Sequence, residues 1–151
     1  MEDSTGRRST IAGIDHFSAL DGDALDRLLD GSELATYGAG DAILDPTRSR
    51  GVYSFLVEGR WWMRRTVVGV AEPREWVDDR PGNWHGGIAL IDMIAPPEVR
   101  AETDCAVLHV PRDLLDGLAS SNAHLAHAML RGVRGGATML HRHATGEDPD
   151  A

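Results

Sequence analysis

The sequence contains no lysine, so all fifteen of its basic residues are arginine. They are outnumbered by 24 acidic residues, and the formal net charge is −9. An acidic chain repels nucleic acid unless its arginines collect on one face. The composition therefore predicts no nucleic-acid partner.

Cysteine and long apolar runs are nearly as scarce. The single cysteine, Cys105, excludes an internal disulfide and indicates a reducing cytoplasm. No run approaches the roughly 18 to 20 apolar residues of a membrane span, and the first residues lack the apolar core of a secretory signal. We therefore expect a cytoplasmic protein without a membrane partner.

The remaining composition is that of one ordinary domain, with 151 residues of which 42% are hydrophobic. Residues 1–10 are polar and charged, and residues 144–151 combine acidic residues with glycine and proline. Both ends are predicted to be flexible tails around a domain that spans residues 11–143.

Helices are predicted at both ends of this domain. At its start, apolar residues recur at helical spacing, and Asp21 or Asp23 is a suitable N-cap for the second of two short helices. Near its end, the pattern predicts a short helix over residues 112–119 and a longer one over residues 122–143. Three glycines lie inside the longer helix, so it either ends near Arg134 or makes a close contact with a partner helix.

Short β-like runs fill the middle of the chain, separated by glycine and proline turns. This spacing is typical of β-sandwiches and barrels, and we predict a mainly β domain, a jelly roll with flanking helices. Trp61, Met63 and Arg65 share one strand face, and Trp61 is expected to pack beside Tyr53 or Phe55. The runs cover residues 34–37, 42–44, 52–57, 60–70, 76–77 and 106–110.

A glycine-rich stretch, residues 82–90, is the candidate binding loop. It places three glycines, Trp84 and His85 before an apolar run. Glycine lets the backbone approach a ligand closely, and the first turn of a helix offers unpaired N–H groups to an anion or a carbonyl.

Several stretches occur in an order that resembles a known family. Residues 37–43 read Tyr-Gly-Ala-Gly-Asp-Ala-Ile and residues 54–59 read Ser-Phe-Leu-Val-Glu-Gly. They are similar to the first strand with its Gly-Asp turn, and to a hydrophobic strand with its turn glycine, of the cyclic-nucleotide-binding domain found in catabolite-activator-like sensors. Residues 86–90 take the place of its phosphate-binding cassette. Residues 99–110, followed by residues 113–115, resemble its closing strands and the helix after them.

The resemblance implies a cyclic nucleotide as ligand, yet two contact residues of the family are missing. The family motif Gly-Glu-(Leu/Ile)-Ala-Leu gives a glutamate to the ribose, and Pro-Arg-(Ala/Ser)-Ala gives an arginine to the cyclic phosphate. Here Gly87 takes the glutamate position, and residues 95–98 read Ala-Pro-Pro-Glu. Arg100 is the nearest arginine, but it stands where the next strand is expected. We therefore do not expect cAMP or cGMP to bind in the usual way.

The predicted ligand site combines the loop with nearby aromatic residues. Trp76 and Trp84 lie among polar and turn residues, and His85 is either a hydrogen-bonded core histidine or a ligand contact. The loop keeps its N–H groups but offers no carboxylate, which favours a neutral or apolar ligand with one acceptor group. The candidate ligand-binding residues are Trp76, Trp84, His85, Gly86, Gly87, Ile88, Ala89 and Arg100.

Catalysis and metal binding have little support in the sequence, and no cofactor is expected. Neither a nucleophile elbow nor a phosphate-binding P-loop occurs. A cupin-type metal enzyme needs a His-x-His pair on the barrel, whereas His141 and His143 lie near the C-terminus. His124 and His127 are three apart on a predicted helix without an obvious third ligand.

Three functions remain open. The leading hypothesis is a non-catalytic, small-molecule-binding regulatory module, in which no helix-turn-helix is expected after the long helix. The alternatives are a genuine cAMP or cGMP receptor with a variant site and a ligand-free structural adaptor. The resemblance also implies a homodimer, formed through the apolar stripe Leu125, Met129, Val133 and Leu140, unless this stripe packs on its own barrel. The module is also expected to pass its signal to another protein as a partner.

Overall fold

The computed structural model describes residues 4–44, 51–66, 69–86 and 97–146. Within these ranges, two α-helices with a short 3-10 helix between them, Asp15–Phe17, precede eight strands, and two α-helices follow the strands. The elements are α1 (Ser4–Ala12), α2 (Gly22–Asp30), β1 (Glu33–Tyr37), β2 (Ala42–Leu44), β3 (Val52–Glu58), β4 (Trp61–Arg65), β5 (Arg74–Asp78), β6 (Trp84–His85), β7 (Glu98–Ala101), β8 (Cys105–Pro111), α3 (Arg112–Ser120) and α4 (Ala123–Thr145).

The strands form two antiparallel sheets of four strands each. One sheet has the order β1-β8-β3-β6 and the other has the order β2-β7-β4-β5. Consecutive strands therefore alternate between sheets in places, as in a jelly roll. This arrangement confirms the predicted mainly β class with flanking helices.

The first sheet is buried on both of its faces. Alternation along β3 directs Tyr53, Phe55 and Val57 towards a core shared with the helices. Leu56 points the other way, into a second core between the two sheets. Trp61 lies in that second core, so the prediction that it packs beside Tyr53 or Phe55 is wrong.

The N-terminal segment is helical rather than a loose tail. Residues 4–10, predicted to be flexible, form most of α1. Ile11 is only 1% exposed, and Arg7 Nε donates to Glu58 Oε1 at 3.3 Å. These tertiary contacts order a polar segment that has no helical pattern of its own. Of the two predicted N-cap candidates for α2, Asp21 is the cap, because its side chain accepts from the Ala24 N–H at 2.8 Å, whereas Asp23 lies inside the helix.

The C-terminal helix α4 continues through its glycines to Thr145, which excludes the alternative that it ends near Arg134. In the described part of the chain, no helix has both the length and the apolar character required to span a bilayer.

Candidate functional site

A cavity of about 550 Å³ lies between the β4–β5 hairpin, the β6 region and α4. Four predicted site residues line it together: Trp76, Trp84, His85 and Gly86. Gly87, Ile88 and Ala89 lie outside the described residues. The structure thus assembles half of the predicted set around one space.

Arg100 is placed elsewhere. On β7 it alternates with the buried residues Val99 and Ala101, so its side chain points outward. Its Nη2 lies 2.8 Å from Glu98 Oε1, and its guanidinium lies 5.8 Å from the centre of the Trp62 ring. Strand alternation therefore turns Arg100 away from the cavity.

One wall of the cavity is the inner face of the β4–β5 hairpin. In the antiparallel register Trp61 faces Asp78 and Met63 faces Trp76. Asp78 Oδ2 accepts hydrogen bonds from Trp76 Nε1 at 3.1 Å and from Trp61 Nε1 at 3.3 Å. The single carboxylate therefore fixes the orientation of both indoles.

A buried arginine completes this wall. Arg65 lines the cavity at the end of β4 and is only 3% exposed. Burial lowers the pKa of Arg65 from 12.5 to about 10, so the guanidinium is still charged at neutral pH. In the register Arg65 faces Arg74 on β5. Sequence periodicity put Arg65 on the same face as Trp61 and Met63, but it did not show that this face borders a cavity.

The Trp84 side chain packs on the face of β6 that is turned towards the helices. Its ring stacks on Phe55 with centroids 5.7 Å apart and an interplanar angle of 12°. His16 approaches edge-on, with its ring centroid 5.3 Å from that of Trp84. Trp84 is therefore part of the aromatic core, and one part of it borders the cavity.

His85, the next residue, faces the interior between the sheets. Its ring centroid lies 5.8 Å from that of Trp61, and the residue is 5% exposed. Neither ring nitrogen has a hydrogen-bond partner among the described residues. Burial, followed by the nearby charge of Arg65, lowers the pKa of His85 from 6.5 to about 3. The imidazole is consequently neutral at physiological pH.

His109 shows how a purely structural histidine is accommodated in the same sheet. Its Nδ1 is hydrogen-bonded to Ser54 Oγ at 2.7 Å and its Nε2 to Tyr37 Oη at 2.7 Å. Ser54 is fully buried, so this serine–histidine contact is a core network. By contrast, His85 lines the cavity, and neither of its buried ring nitrogens has a hydrogen-bond partner in the part of the chain that the structure describes.

Helix α4 covers the cavity with its glycine segment. A Cβ on Gly132 would lie 2.5 Å from Trp84 Cζ2, whereas a Cβ on Gly135 would meet nothing within 4 Å. Gly135 and Met139 line the cavity beside Gly132. The close contact anticipated for the glycines therefore exists, but Gly132 makes it with Trp84 of the same chain.

The start of the binding loop is anchored by α3. Arg112 Nη2 donates to the Gly86 carbonyl at 2.7 Å, and its guanidinium lies 4.6 Å from the centre of the Tyr53 ring. Gly86 has φ = 129°, and a Cβ there would lie 2.8 Å from Tyr53 Cδ1. Only glycine suits this position.

Most of the predicted dimer stripe contacts the chain's own domain. Leu125 is fully buried with Met129 packed against the same core, Leu140 is buried, and Val133 lines the cavity. The exposed large apolar residue of α4 is Leu130, at 68%. The homodimer stays a prediction.

Among the described residues, no group of three or more His, Cys, Asp or Glu side chains is arranged to hold a metal ion. Cys105 is buried, and its thiol donates to the Arg60 carbonyl at 3.2 Å. Burial raises the pKa of this thiol.

No protein-family model and no curated protein sequence matches the chain. Solved structures do resemble it. The sensor domain of the transcriptional regulator DNR from Pseudomonas aeruginosa is 15% identical with a TM-score of 0.67, over 85% of this chain and 91% of that one. The Thermus thermophilus catabolite activator protein is 20% identical with a TM-score of 0.61, over 83% of this chain and 61% of that one.

A cAMP-binding acyltransferase from Mycobacterium smegmatis is also similar, with 19% identity and a TM-score of 0.54. The match covers 74% of this chain but only 34% of the acyltransferase, so the chain spans about a third of that protein. At these identities the likeness concerns the fold alone. It agrees with the order of strands and helices described above: this chain has the fold of a cyclic-nucleotide-binding domain.

Proposed function

We propose that this chain is a non-catalytic regulatory module that binds a small molecule in the cavity between the β4–β5 hairpin and α4. The observation that carries the proposal is the cavity-lining residue His85, a buried imidazole whose two ring nitrogens have no hydrogen-bond partner among the described residues. Leaving a buried donor or acceptor without a partner costs about 1–3 kcal/mol. A ligand that bonds to His85 removes this cost.

The walls of the cavity suit a compact organic molecule. A volume of about 550 Å³ is within the range of small-molecule sites, which combine apolar walls with a few polar groups. Trp76 offers a ring whose position is fixed by Asp78, and Met63 and Met139 add flexible apolar surface. A ligand here touches the barrel on one side and α4 on the other.

This position connects binding to a response. Gly135 and Met139 of α4 line the same space as Trp76 and His85 of the barrel. Occupancy therefore changes the free energy of seating α4 on the barrel, and the helix is the element that passes the signal on. The fold shared with a sensor domain and with a cAMP-binding protein supports this regulatory role.

Cyclic nucleotides are not expected to bind in the family's usual way. Gly87 has no carboxylate for a ribose hydroxyl, and Arg100 lies outside the cavity in contact with Glu98. Losing the charged partner of a buried phosphate costs roughly 2–5 kcal/mol, and each 1.4 kcal/mol is tenfold in affinity. The affinity is expected to fall by at least about 30-fold from that of a complete site.

Titration calorimetry with cAMP and cGMP tests this part of the proposal. We expect millimolar binding or none, and micromolar binding would favour a genuine receptor with a variant site. Native mass spectrometry of the freshly purified protein tests the proposal that the chain binds a small molecule. A co-purifying small molecule supports the module, and the same spectrum reports the oligomeric state.

Output through a homodimer or another protein is part of the same proposal. Leu130 is the exposed apolar residue from which α4 offers such a contact. Sedimentation at micromolar concentration is expected to show a dimer, and a monomer would contradict this part. Leu130→Glu should then dissociate the dimer, and Val77→Glu, at an exposed apolar residue of β5, is the control.

A further inference from the structure

We propose that a basic groove beside α4 binds an acidic segment of a partner protein. The groove has a volume of about 450 Å³ and lies between α4 and the start of β5. Four of the fifteen arginines of this chain line it: Arg74, Arg131, Arg134 and Arg142. This interaction requires no ligand in the cavity and therefore goes beyond the proposed function.

Three of these arginines form a row along one face of α4. Arg131, Arg134 and Arg142 recur at helical spacing, with Thr138 between them, and all four side chains line the groove. All four residues are exposed. Arg142 lies eleven residues after Arg131, so at 1.5 Å per residue the row is roughly 16 Å long. A row of this length matches about five residues of an extended polypeptide, at about 3.3 Å per residue.

The positive charge of this row is accessible to a partner. Neither Arg134 nor Arg142 forms an ion pair within the part of the chain that the structure describes. Arg131 Nη2 lies 2.9 Å from Asp15 Oδ2, but both of these side chains are more than half exposed. Carboxylates of a partner can therefore bind Arg134 and Arg142 without displacing an internal carboxylate, and they can compete with Asp15 for Arg131.

The surface between the arginines favours a peptide over other anions. The half-buried Met139 lines the groove, and Gly135 leaves it open, because a Cβ on Gly135 would meet nothing within 4 Å. The methylene groups of a glutamate can pack on the thioether while its carboxylate reaches a guanidinium group. A nucleic acid would extend beyond the groove over a chain of net charge −9, which repels it. A short acidic segment fits within the groove.

Fluorescently labelled hexaglutamate is the probe, added to the full chain at low ionic strength and followed by fluorescence anisotropy. We expect saturable binding that sodium chloride weakens, because the paired charges are exposed. Hexaglutamine, which lacks the charges, should not bind. Exposed ion pairs contribute modestly, so Arg134→Gln and Arg142→Gln should each weaken binding about two- to fivefold, and the double variant roughly tenfold. Glutamine is a good helix former, so these variants should fold.

Two control variants separate the groove from the overall charge. Arg27 is exposed on α2 and does not line the groove, so Arg27→Gln should bind hexaglutamate as the wild type does. Asp15→Asn removes the carboxylate that is bound to Arg131, and the affinity should rise about two- to fivefold. Asp30→Asn, at an exposed residue of α2, changes the net charge equally and should leave the affinity unaltered.

Four results would overturn this assignment while leaving the proposed function intact, because none of them involves the cavity. The first is the absence of saturable hexaglutamate binding, or equal affinities in the wild type, Arg134→Gln and Arg142→Gln. The second is a thymidine hexanucleotide that binds as tightly as hexaglutamate, which would assign the groove to nucleic acid.

The remaining two results concern this chain itself as the occupant of the groove. Binding of hexaglutamate only after Glu147, Asp148 and Asp150 are replaced by their amides would assign the groove to that acidic segment. A dimer that dissociates in Arg134→Gln, measured by sedimentation, would assign the groove to a second copy of the chain.

Discussion

Replacing Gly132 with alanine tests whether α4 is seated on the barrel as described. The added Cβ would lie 2.5 Å from Trp84 Cζ2, 2.7 Å from Nε1 and 2.8 Å from Cε2. Carbon atoms in normal contact are about 3.5–4.0 Å apart, so the helix or the ring must move by roughly 1 Å. The ring has little freedom, because Phe55 stacks on it and His16 approaches its edge.

Two opposing effects determine how much Gly132→Ala changes the free energy of unfolding. Overpacking a rigid core costs about 1–3 kcal/mol, and the constrained ring places this site near the upper value. Alanine in place of glycine in a helix contributes about 1 kcal/mol in the opposite direction. We expect a net loss of about 2 kcal/mol, or a melting temperature lower by about 4–8 °C for a chain of this size.

Gly135→Ala is the matched control in the same helix. A Cβ at Gly135 meets nothing within 4 Å, so only the helix propensity changes. The melting temperature should rise by about 2–4 °C. Thermal unfolding followed by circular dichroism compares the two variants. In a Trp84→Leu background, Gly132→Ala should lose most of its cost. Equal stabilisation by Gly132→Ala and Gly135→Ala would refute the contact between α4 and Trp84.

Two further predictions concern the walls of the cavity. The free energy of unfolding should fall as the pH drops from about 6.5 towards 3, because the unfolded chain protonates His85 while the folded chain, with a pKa of about 3, does not. This residue should lower the free energy of unfolding by about 2 kcal/mol at pH 5. His85→Gln should reduce the dependence of the unfolding free energy on pH, whereas His127→Gln, at an exposed histidine, should not. Urea titrations at several pH values measure this dependence, and an equal dependence in the wild type and both variants would contradict the prediction. Asp78→Ala should cost about 1–3 kcal/mol, because it leaves the fully buried Trp61 indole N–H without its acceptor. Asp79→Ala on the exposed side is its control in urea unfolding, and equal midpoints for the two variants would contradict the assigned role.

Much of the fold could be predicted from local signals. The turn residues and apolar runs identified most strands, and Asp21 capped its helix as predicted. The first helix could not be found in this way. Its sequence, Ser-Thr-Gly-Arg-Arg-Ser-Thr-Ile-Ala, has little apolar periodicity, and it is ordered by contacts such as Arg7 with Glu58.

The site was predictable only in part, because it forms where distant elements meet. Trp84 and His85 were identified from their unusual loop, but two adjacent residues of a short strand point to opposite faces. Trp84 therefore joins the aromatic core and His85 lies between the sheets, although both residues border the cavity. Arg65 was not identified as a cavity residue, because only the register of β4 with β5 and the position of α4 place it against the cavity.

The most direct test of the central claim is a crystal structure of the protein as purified, without added ligand. We expect electron density beyond that of the chain in the cavity, within hydrogen-bonding distance of a His85 ring nitrogen and in contact with Trp76. Side chains of this same chain filling the space between His85 and α4 would contradict the claim and favour a ligand-free adaptor.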